Sequence, residues 1–254
     1  MTHKKVSIPD IKGYCPLLVG ASTKKELKKV YKYSDDVGEN ISEKNPHYCE
    51  LTGMFWIWKN VKEDYIGVCH YRRFFTKSNL YSHKEKYYLR EQDVLELLKK
   101  YEVIVPEARK EKDIIPNIVR IAPNKKDLIE IKEAIEKVSP SYLEDYEKFL
   151  SQNCFYMYNM IVTKKKIFDA YCEWLFPILN YIEEHHDISK EDAYRQRLYG
   201  FLSERLLMVW LYHNIPIEKV KEMNIINTDE TSLKLVLHKV KNYYRQLQYK
   251  LLRK

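Results

Sequence analysis

The chain contains a short apolar run, residues 65–75, that ends in a histidine and two adjacent arginines. Its β-branched and aromatic residues predict a buried strand. In open α/β sheets, ligands bind just beyond the carboxyl ends of such strands. His70, Arg72 and Arg73 are therefore candidate site residues, and arginine there suits an anion such as phosphate. The alternative is a strand end whose charges are simply solvated.

Predicted strands alternate with predicted helices along the rest of the chain. Further strands are expected at 14–19, 102–105, 155–162 and 215–220. Helical spacing of apolar residues predicts helices at about 49–60, 91–100, 124–137, 141–150, 166–184 and 190–213. No repeat or Gly/Ser linker divides this pattern, so it predicts one α/β domain over residues 1–230 with a mostly parallel or mixed central sheet. Residues 106–123 carry three prolines and are expected to form a long loop that covers or shapes a site.

The positive charge is concentrated at the carboxyl end. The formal net charge is +8, and residues 231–254 contain seven Lys or Arg and no Asp or Glu. Apolar residues recur there at three- and four-residue spacing, which predicts a basic amphipathic helix. Such a helix can bind an anionic membrane surface. The alternative is a final helix that packs on the domain with a solvated basic face.

The motifs disfavour several classes of protein. The six glycines form neither G-x-G-x-x-G nor a P-loop, and no G-x-S-x-G elbow is present. The five cysteines form no Cys-x-x-Cys pair, and no apolar stretch is long enough for a membrane span or a signal peptide. We therefore expect a cytoplasmic protein without a dinucleotide fold or a zinc knuckle. The cluster His185, His186 and Asp187 is expected to be a solvated helix end.

Four sequence blocks carry a resemblance to a known family. They are Asn-Ile-Ser-Glu-Lys-Asn-Pro at 40–46, Cys-Glu-Leu-Thr-Gly and Phe-Trp-Ile-Trp-Lys-Asn within 49–60, Ile-Gly-Val-Cys-His-Tyr-Arg-Arg-Phe at 66–74 and Gly-Phe-Leu-Ser-Glu-Arg at 200–205. With these blocks in this order, residues 2–227 resemble the bacterial capsular and exopolysaccharide glycosyltransferases known as domain of unknown function 4422. The resemblance implies a three-layer α/β/α, GT-A-like fold and a nucleotide-sugar-dependent hexosyltransferase.

The resemblance also implies substrates and a location. The donor would be a UDP-linked galactose-type sugar, pyranose or furanose, and the acceptor a polyprenyl-diphosphate-linked oligosaccharide. The enzyme would act at the inner face of the cell membrane, with residues 231–254 on the lipid surface. Members of the family usually carry a strand before the Thr-His-Lys segment, whereas Met1 directly precedes Thr2 here. We expect either a start site further upstream or a nucleotide pocket without its first strand.

The arginines suggest how the donor is bound. Many GT-A-like enzymes hold a divalent metal with an Asp-x-Asp pair, and this sequence contains none. Two guanidinium groups can neutralise a diphosphate leaving group in its place. We therefore hypothesise metal-independent transfer, with Arg72 and Arg73 on the diphosphate, His70 beside it and no cofactor.

Two glutamates are candidate general bases, because sugar transfer with inversion needs a carboxylate to take the acceptor proton. Glu204 is similar to a carboxylate that some GT-A enzymes present near the acceptor, and Glu50 is the second candidate. The alternatives are that Glu204 pairs with Arg205 or Arg197 or anchors a loop, and that Glu50 pairs with one of the two site arginines.

Further residues are expected to bind the nucleotide sugar. The resemblance alone implies this for Thr2 and His3, and the other residues are Asn45, Thr52, Asn159 and Arg205. For Asn159 the alternative is an amide that satisfies backbone groups inside a strand. A different function, a non-catalytic protein that binds RNA or acidic polysaccharide through the basic tail and tyrosines, competes with the transferase. No basic, aromatic-studded sheet motif supports it, so we expect no nucleic-acid partner.

Overall fold

A mixed β-sheet lies at the centre of the structure, a computed structural model that describes residues 1–111 and 125–252. In chain order the strands of these residues are β1 (Leu17–Leu18), β2 (Tyr33–Ser34), β3 (Tyr65–Val68), β4 (Arg73–Phe75), β5 (Val103–Pro106), β6 (Arg109–Lys110), β7 (Cys154–Phe155), β8 (Ile161–Lys164), β9 (Val220–Met223) and β10 (Ile225–Asn227). The central sheet has the order β3-β8-β5-β9. Strand β8 is antiparallel to both of its neighbours, and β9 is parallel to β5.

The central strands bury alternate side chains against different partners, as pleating requires. Val103 and Val105 of β5 belong to the larger apolar cluster, whereas Ile104 belongs to a second cluster on the other face. Because both faces of β5 are buried, its sequence is continuously apolar. Strand β3 alternates instead, with Tyr65 and Gly67 exposed.

Helices cover both faces of the sheet. In chain order they are α1 (Lys25–Lys28), α2 (Asn45–Tyr48), α3 (Leu51–Asn60), α4 (Glu91–Lys100), α5 (Lys125–Val138), α6 (Leu143–Ser151), α7 (Lys165–His185), α8 (Leu198–Asn214) and α9 (Ser232–Leu252). The larger cluster joins α3 and α5–α8 to one face, and α4 packs on the other through Leu98. The predicted α/β class with a mixed central sheet is therefore confirmed. No helix within the described ranges is long and apolar enough to cross a membrane.

A short parallel ladder extends the sheet at the amino end of the chain. Thr2 pairs with Leu18 of β1, and β1 pairs with β2. The α-ammonium of Met1 donates to the Cys69 carbonyl over 2.7 Å, and the Tyr71 amide donates to the Met1 carbonyl over 3.0 Å. These bonds align the ladder parallel to β3. The carboxyl ends of β1, β2 and β3 therefore lie at the same edge of the sheet.

Two predicted strands are divided by turns. The run at 65–75 is not one strand, because β3 ends at Val68 and β4 pairs with β10 after an intervening turn. The run at 155–162 is likewise divided between β7 and β8, because Tyr158 and Asn159 have positive φ angles of 77° and 49°. Asn159 therefore lies in a turn and not inside a strand. The strand expected at 215–220 begins only at Val220.

Two predicted helices begin later than expected. Helix α3 begins at Leu51, because Cys49 has a φ of 52° and separates it from α2. Helix α8 begins at Leu198, and the preceding residues 190–197 contain only short 3-10 turns. Residues 112–123 of the expected long loop lie outside the described residues.

Helix α9 packs on β6 through polar side chains and on a small apolar cluster through Leu235. Asn242 accepts a hydrogen bond from the Lys110 amide, and Gln246 accepts one from Asn153. The opposite side of the helix is exposed and carries six apolar side chains at three- and four-residue spacing, which we call the apolar stripe: Leu233, Leu237, Val240, Tyr244, Leu247 and Leu251. The helix is thus amphipathic with its apolar side outward.

Candidate active site

The turn between β7 and β8 joins side chains from three distant parts of the chain. The Tyr158 amide donates to Glu204 Oε1 over 2.8 Å, and the Tyr158 carbonyl lies 2.6 Å from His70 Nε2. The Asn159 amide donates to Glu50 Oε1 over 2.8 Å. The positive φ angles of Tyr158 and Asn159 are rare for L residues and persist only where surrounding contacts hold them. We call Glu50, His70, Tyr158, Asn159 and Glu204 the turn cluster.

Glu204 is held by donors on both carboxylate oxygens. Oε1 accepts from the Tyr158 amide, and Oε2 accepts from Arg205 Nη1 over 2.8 Å. Arg205 is fully buried and lies over the Phe155 ring. The Glu204–Arg205 pair is therefore not on the helix surface but inside the protein. Burial raises the pKa of the Glu204 carboxyl, and the Arg205 charge opposes that rise.

Glu50 has a different environment. It immediately precedes α3, and its carboxylate accepts from Asn159 and, among the described residues, from no other side chain. Neither Arg72 nor Arg73 is its ion-pair partner in this part of the chain. Burial raises the pKa of the Glu50 carboxyl, while hydrogen bonds from Asn159 and from its own backbone amide oppose the rise. Within the described part of the chain, no side chain donates to its second carboxylate oxygen.

His70 is neutral at physiological pH. Burial and the nearby Arg73 charge lower its pKa to about 3. Because the Tyr158 carbonyl can only accept a hydrogen bond, Nε2 must carry the ring proton, and Nδ1 is unprotonated. His70 Nε2 also lies 3.8 Å from Glu50 Oε1. The imidazole therefore supplies a fixed donor to the turn.

The two adjacent arginines have different neighbours. Arg72 Nη1 lies 2.9 Å from Asp229 Oδ2, and its guanidinium also lies over the Tyr71 ring. Arg73 begins β4 and lies over the Tyr158 ring, 4.2 Å from its centroid. Arg73 therefore borders the turn cluster directly, whereas Arg72 borders the amino-terminal ladder.

Basic side chains gather at the carboxyl ends of the amino-terminal ladder. The His3 ring packs edge-on against Tyr71, and burial together with the charges of Lys24, Lys4, Arg197 and Arg72 lowers its pKa. We call His3, Lys24, Asn45, Arg72 and Arg197 the cationic cleft. Lys24 and Arg197 were not predicted from the sequence.

Polar contacts fix the walls of the cationic cleft. Lys24 Nζ donates to the Val19 carbonyl over 2.8 Å and to Asn45 Oδ1 over 3.4 Å. Asn45 Nδ2 donates to the Cys49 carbonyl and to the buried Thr52 hydroxyl. The Thr2 hydroxyl is buried and donates to the carbonyl of Lys4. The predicted residues Thr2, Asn45 and Thr52 therefore surround the cleft mainly as supports.

A separate group of metal-ligating side chains lies at the ends of α5 and α7. Asp127, Glu130 and His186 place their ligand atoms within 4.8 Å of one another. Arg195 donates two hydrogen bonds to Asp127, at 3.0 and 3.1 Å, and His186 Nδ1 lies 2.8 Å from Glu130 Oε2. The group thus contains its own cations. His186 is only 6% exposed, so the expectation of a solvated helix end is wrong for this residue and holds for its two neighbours.

The fold is similar to that of a known sugar transferase. The apo structure of the WbbM bifunctional glycosyltransferase matches this chain with a TM-score of 0.81 and 27% sequence identity. The match covers 90% of this chain and 44% of the WbbM chain, so the chain spans less than half the length of that protein. The structural similarity supports a glycosyltransferase-related protein.

The sequence comparison identifies the family. The chain belongs to the family described as Domain of unknown function (DUF4422), whose model matches residues 1–215. This confirms the domain of unknown function 4422 that the four sequence blocks indicated, while the role in capsular or exopolysaccharide synthesis stays a prediction. No curated protein matches the chain significantly.

Proposed function

We propose that the chain is a metal-independent hexosyltransferase of GT-A type that moves a galactose-type sugar from a UDP-linked donor to a lipid-linked glycan. The observation that carries this proposal is the turn cluster. One strained turn there holds the buried carboxylate of Glu204, the largely buried carboxylate of Glu50 and a neutral histidine beside Arg73. Perturbed carboxyl groups of this kind are typical of sites that transfer protons. The similarity to WbbM, which is named as a glycosyltransferase, supports sugar transfer as the reaction.

In this proposal Glu50 is the general base. Its carboxylate accepts a single side-chain hydrogen bond within the described residues, so one oxygen can receive the acceptor hydroxyl. Its raised pKa brings the group closer to the working pH, where proton abstraction is most effective. Glu204 is the positioning residue, because both of its oxygens are already engaged by Tyr158 and Arg205.

The donor diphosphate would bind between the cationic cleft and Arg73. Guanidinium groups match phosphate oxygens in geometry and charge, and they can stabilise the leaving diphosphate. Arg72, Arg197 and Lys24 supply positive charge on the cleft side, and Arg73 supplies it beside the turn cluster. This arrangement supplies the charge that a divalent cation supplies elsewhere.

The acceptor would be presented by a membrane. The apolar stripe of α9 is exposed, and Lys234, Lys241 and Lys250 lie on the same helix. Apolar side chains flanked by lysines suit the interface of an anionic bilayer. We therefore propose a peripheral protein at the inner face of the cell membrane, where a polyprenyl-diphosphate-linked oligosaccharide in capsular or exopolysaccharide synthesis would be found.

The experiment that tests this function is a hydrolysis screen of UDP-, GDP- and dTDP-linked sugars by the purified chain. We expect release of UDP from UDP-galactose, in either ring form, and no loss of rate in EDTA. Arg72→Gln and Arg73→Gln are expected to lower that rate at least about tenfold, since each removes a charged hydrogen-bond donor to phosphate. Absence of turnover with every donor, or abolition of the rate by EDTA with restoration by manganese, would contradict the proposal.

A further inference from the structure

A second basic site lies beneath α9. A cavity of about 250 Å³ is enclosed by β4, β6, β10, the turn at 157–158 and the inner side of α9. Tyr158 forms part of its wall, and the backbone of the same residue contacts Glu204 and His70. The cavity therefore borders the turn cluster through Tyr158.

The lining of this cavity is strongly basic. Five Arg or Lys side chains face two Glu side chains there, namely Arg73, Arg109, Lys239, Lys241 and Arg245 against Glu107 and Glu230. The two glutamates already have basic partners, since Glu107 lies 3.5 Å from Lys239 and Glu230 lies 3.4 Å from Lys234. A concave surface with an excess of positive charge concentrates anions.

A buried carboxylate holds two of the arginines in place. Glu111 is 5% exposed and accepts from Arg109 Nε over 2.6 Å and from Arg245 Nη1 over 2.8 Å. One carboxylate neutralises one of the two positive charges. Each guanidinium carries five N–H donors, more than its contacts here use, so the pair retains both charge and donors for a ligand.

Arg73 supplies a third guanidinium at the end of the cavity nearest the turn cluster. It lies over the Tyr158 ring, and within residues 1–111 and 125–252 no carboxylate lies within 4.0 Å of its guanidinium nitrogens. Because Arg73 is assigned to the donor diphosphate, it marks the boundary between the donor site and the cavity, and an anion in the cavity would be held by Arg109 and Arg245. A sugar attached to that anion could then extend to Glu50.

We propose that this cavity binds the phosphate groups of the lipid-linked acceptor, an inference that rests on the proposed glycosyl transfer. Phosphate oxygens match the guanidinium groups of the lining in geometry and charge. Two reasons favour the lipid-linked acceptor over the nucleotide-sugar donor as the source of these phosphate groups. The cationic cleft at the carboxyl ends of the ladder already provides an anion site for the donor. The cavity is bordered by the same helix whose outer side carries the apolar stripe, so a helix bound to a bilayer would bring the cavity close to the lipid head groups.

The test is titration calorimetry of the full chain with farnesyl diphosphate as a soluble prenyl diphosphate probe. Arg245→Gln and Lys241→Gln each remove a positive charge from the lining, and Lys137→Gln removes one from an exposed position of α5 outside it. We expect the Kd to rise at least about tenfold for Arg245→Gln, because a charged hydrogen bond to phosphate is lost. Lys241 is exposed, so its variant should keep the fold and weaken binding about threefold, whereas Lys137→Gln should bind as the wild type does.

Competition with UDP separates the two sources of phosphate. Binding of farnesyl diphosphate that persists in excess UDP supports an acceptor site, and displacement by UDP would overturn it in favour of the donor. Unchanged binding in both Arg245→Gln and Lys241→Gln would also overturn the proposal. If binding depends on Arg245 but the wild type turns over no nucleotide sugar, the proposed function and the acceptor role fail while the phosphate site itself stands.

Discussion

The side-chain amide of Asn159 donates a hydrogen bond to Glu50 Oε1 over 2.8 Å, while its carbonyl oxygen accepts one from the Ser203 hydroxyl over 2.9 Å. Asn159 Nδ2 donates in addition to the Gly200 carbonyl over 3.1 Å. These three contacts fix which end of the amide faces Glu50. A neutral donor orients the carboxylate without supplying a positive charge, so burial still dominates the Glu50 pKa.

Asn159→Asp tests the role of this contact in setting the Glu50 pKa. Aspartate tolerates the left-handed backbone of this position, but it brings a second carboxyl group against Glu50. Two such groups at hydrogen-bond distance share a proton, so the apparent pKa of the pair rises further. We expect nucleotide-sugar turnover at pH 7 to fall at least about tenfold and to recover partly at higher pH. Asn180→Asp is the matched control, because Asn180 is exposed and its amide also donates to a glutamate, Glu184. An unshifted pH profile in Asn159→Asp would refute this role.

Glu204→Gln tests the buried ion pair. Glutamine can still accept from the Tyr158 amide, but it leaves the fully buried Arg205 guanidinium without its carboxylate. Removing one partner of a buried pair destabilises a protein by about 3–5 kcal/mol. We expect a loss of this size in the free energy of unfolding in urea. The double variant Glu204→Gln with Arg205→Met should recover part of it, and equal stability of Glu204→Gln and wild type would show that the pair does not hold the turn.

The central strands could be predicted because their burial is reflected in runs of apolar residues in the local sequence. Val103, Ile104 and Val105 are all apolar because both faces of β5 are covered. The run at 65–75 was only partly predictable. Its apolar side chains continue through the turn, and β4 pairs with β10, a partner about 150 residues away that local periodicity cannot reveal.

The turn at 158–159 could not be predicted from its own residues. Its neighbours are aromatic and β-branched, which favours a strand. Distant contacts override that preference, because Glu204 binds the Tyr158 amide and His70 binds its carbonyl. The turn that brings the predicted catalytic residues together therefore could not be recognised from the local sequence pattern.

Lys24 and Arg197 were missed for a related reason. Both belong to short irregular segments without a motif, and Arg197 falls within a stretch predicted to be helix. Their position depends on tertiary contacts, Lys24 with the Val19 carbonyl and Arg197 with the Cys49 thiol. The only sequence signal for either residue was that Lys24 closely follows β1 and Gly20.

His70→Gln tests the neutral state of the histidine through stability. The folded protein lowers the pKa of His70 to about 3, whereas the ordinary value is 6.5. The unfolded chain therefore takes up a proton as the pH falls through 6.5 and the folded protein does not, so this residue makes the protein less stable at acidic pH. Between pH 7.5 and 5.0 we expect the wild type to lose about 2 kcal/mol more in free energy of unfolding than His70→Gln. If the free energies of unfolding of the wild type and His70→Gln, measured in urea titrations, changed equally with pH, His70 would not be neutral in the folded protein.

Gly20→Ala tests the cationic cleft. Gly20 has a φ of 63°, and a Cβ there would collide with Asn45 Oδ1 and Lys24 Nζ. We expect the Kd for UDP to rise at least about tenfold, because the lysine and the amide must move. Gly38→Ala is the matched control, since Gly38 has a φ of 71° and a comparable collision with Asn60 at a distant turn. Both variants should lose stability. Equal UDP affinity in the two variants would show that the cationic cleft is not part of the donor site.

The most direct test of the account is turnover by Glu50→Gln measured alongside UDP affinity. Glutamine keeps the shape of the side chain and a possible hydrogen bond with Asn159, but it cannot take a proton. The account predicts that turnover of the nucleotide sugar falls at least about a hundredfold while the Kd for UDP stays within twofold of the wild type, as expected for loss of a general base. Turnover by Glu50→Gln at the wild-type rate, with UDP still bound, would contradict it.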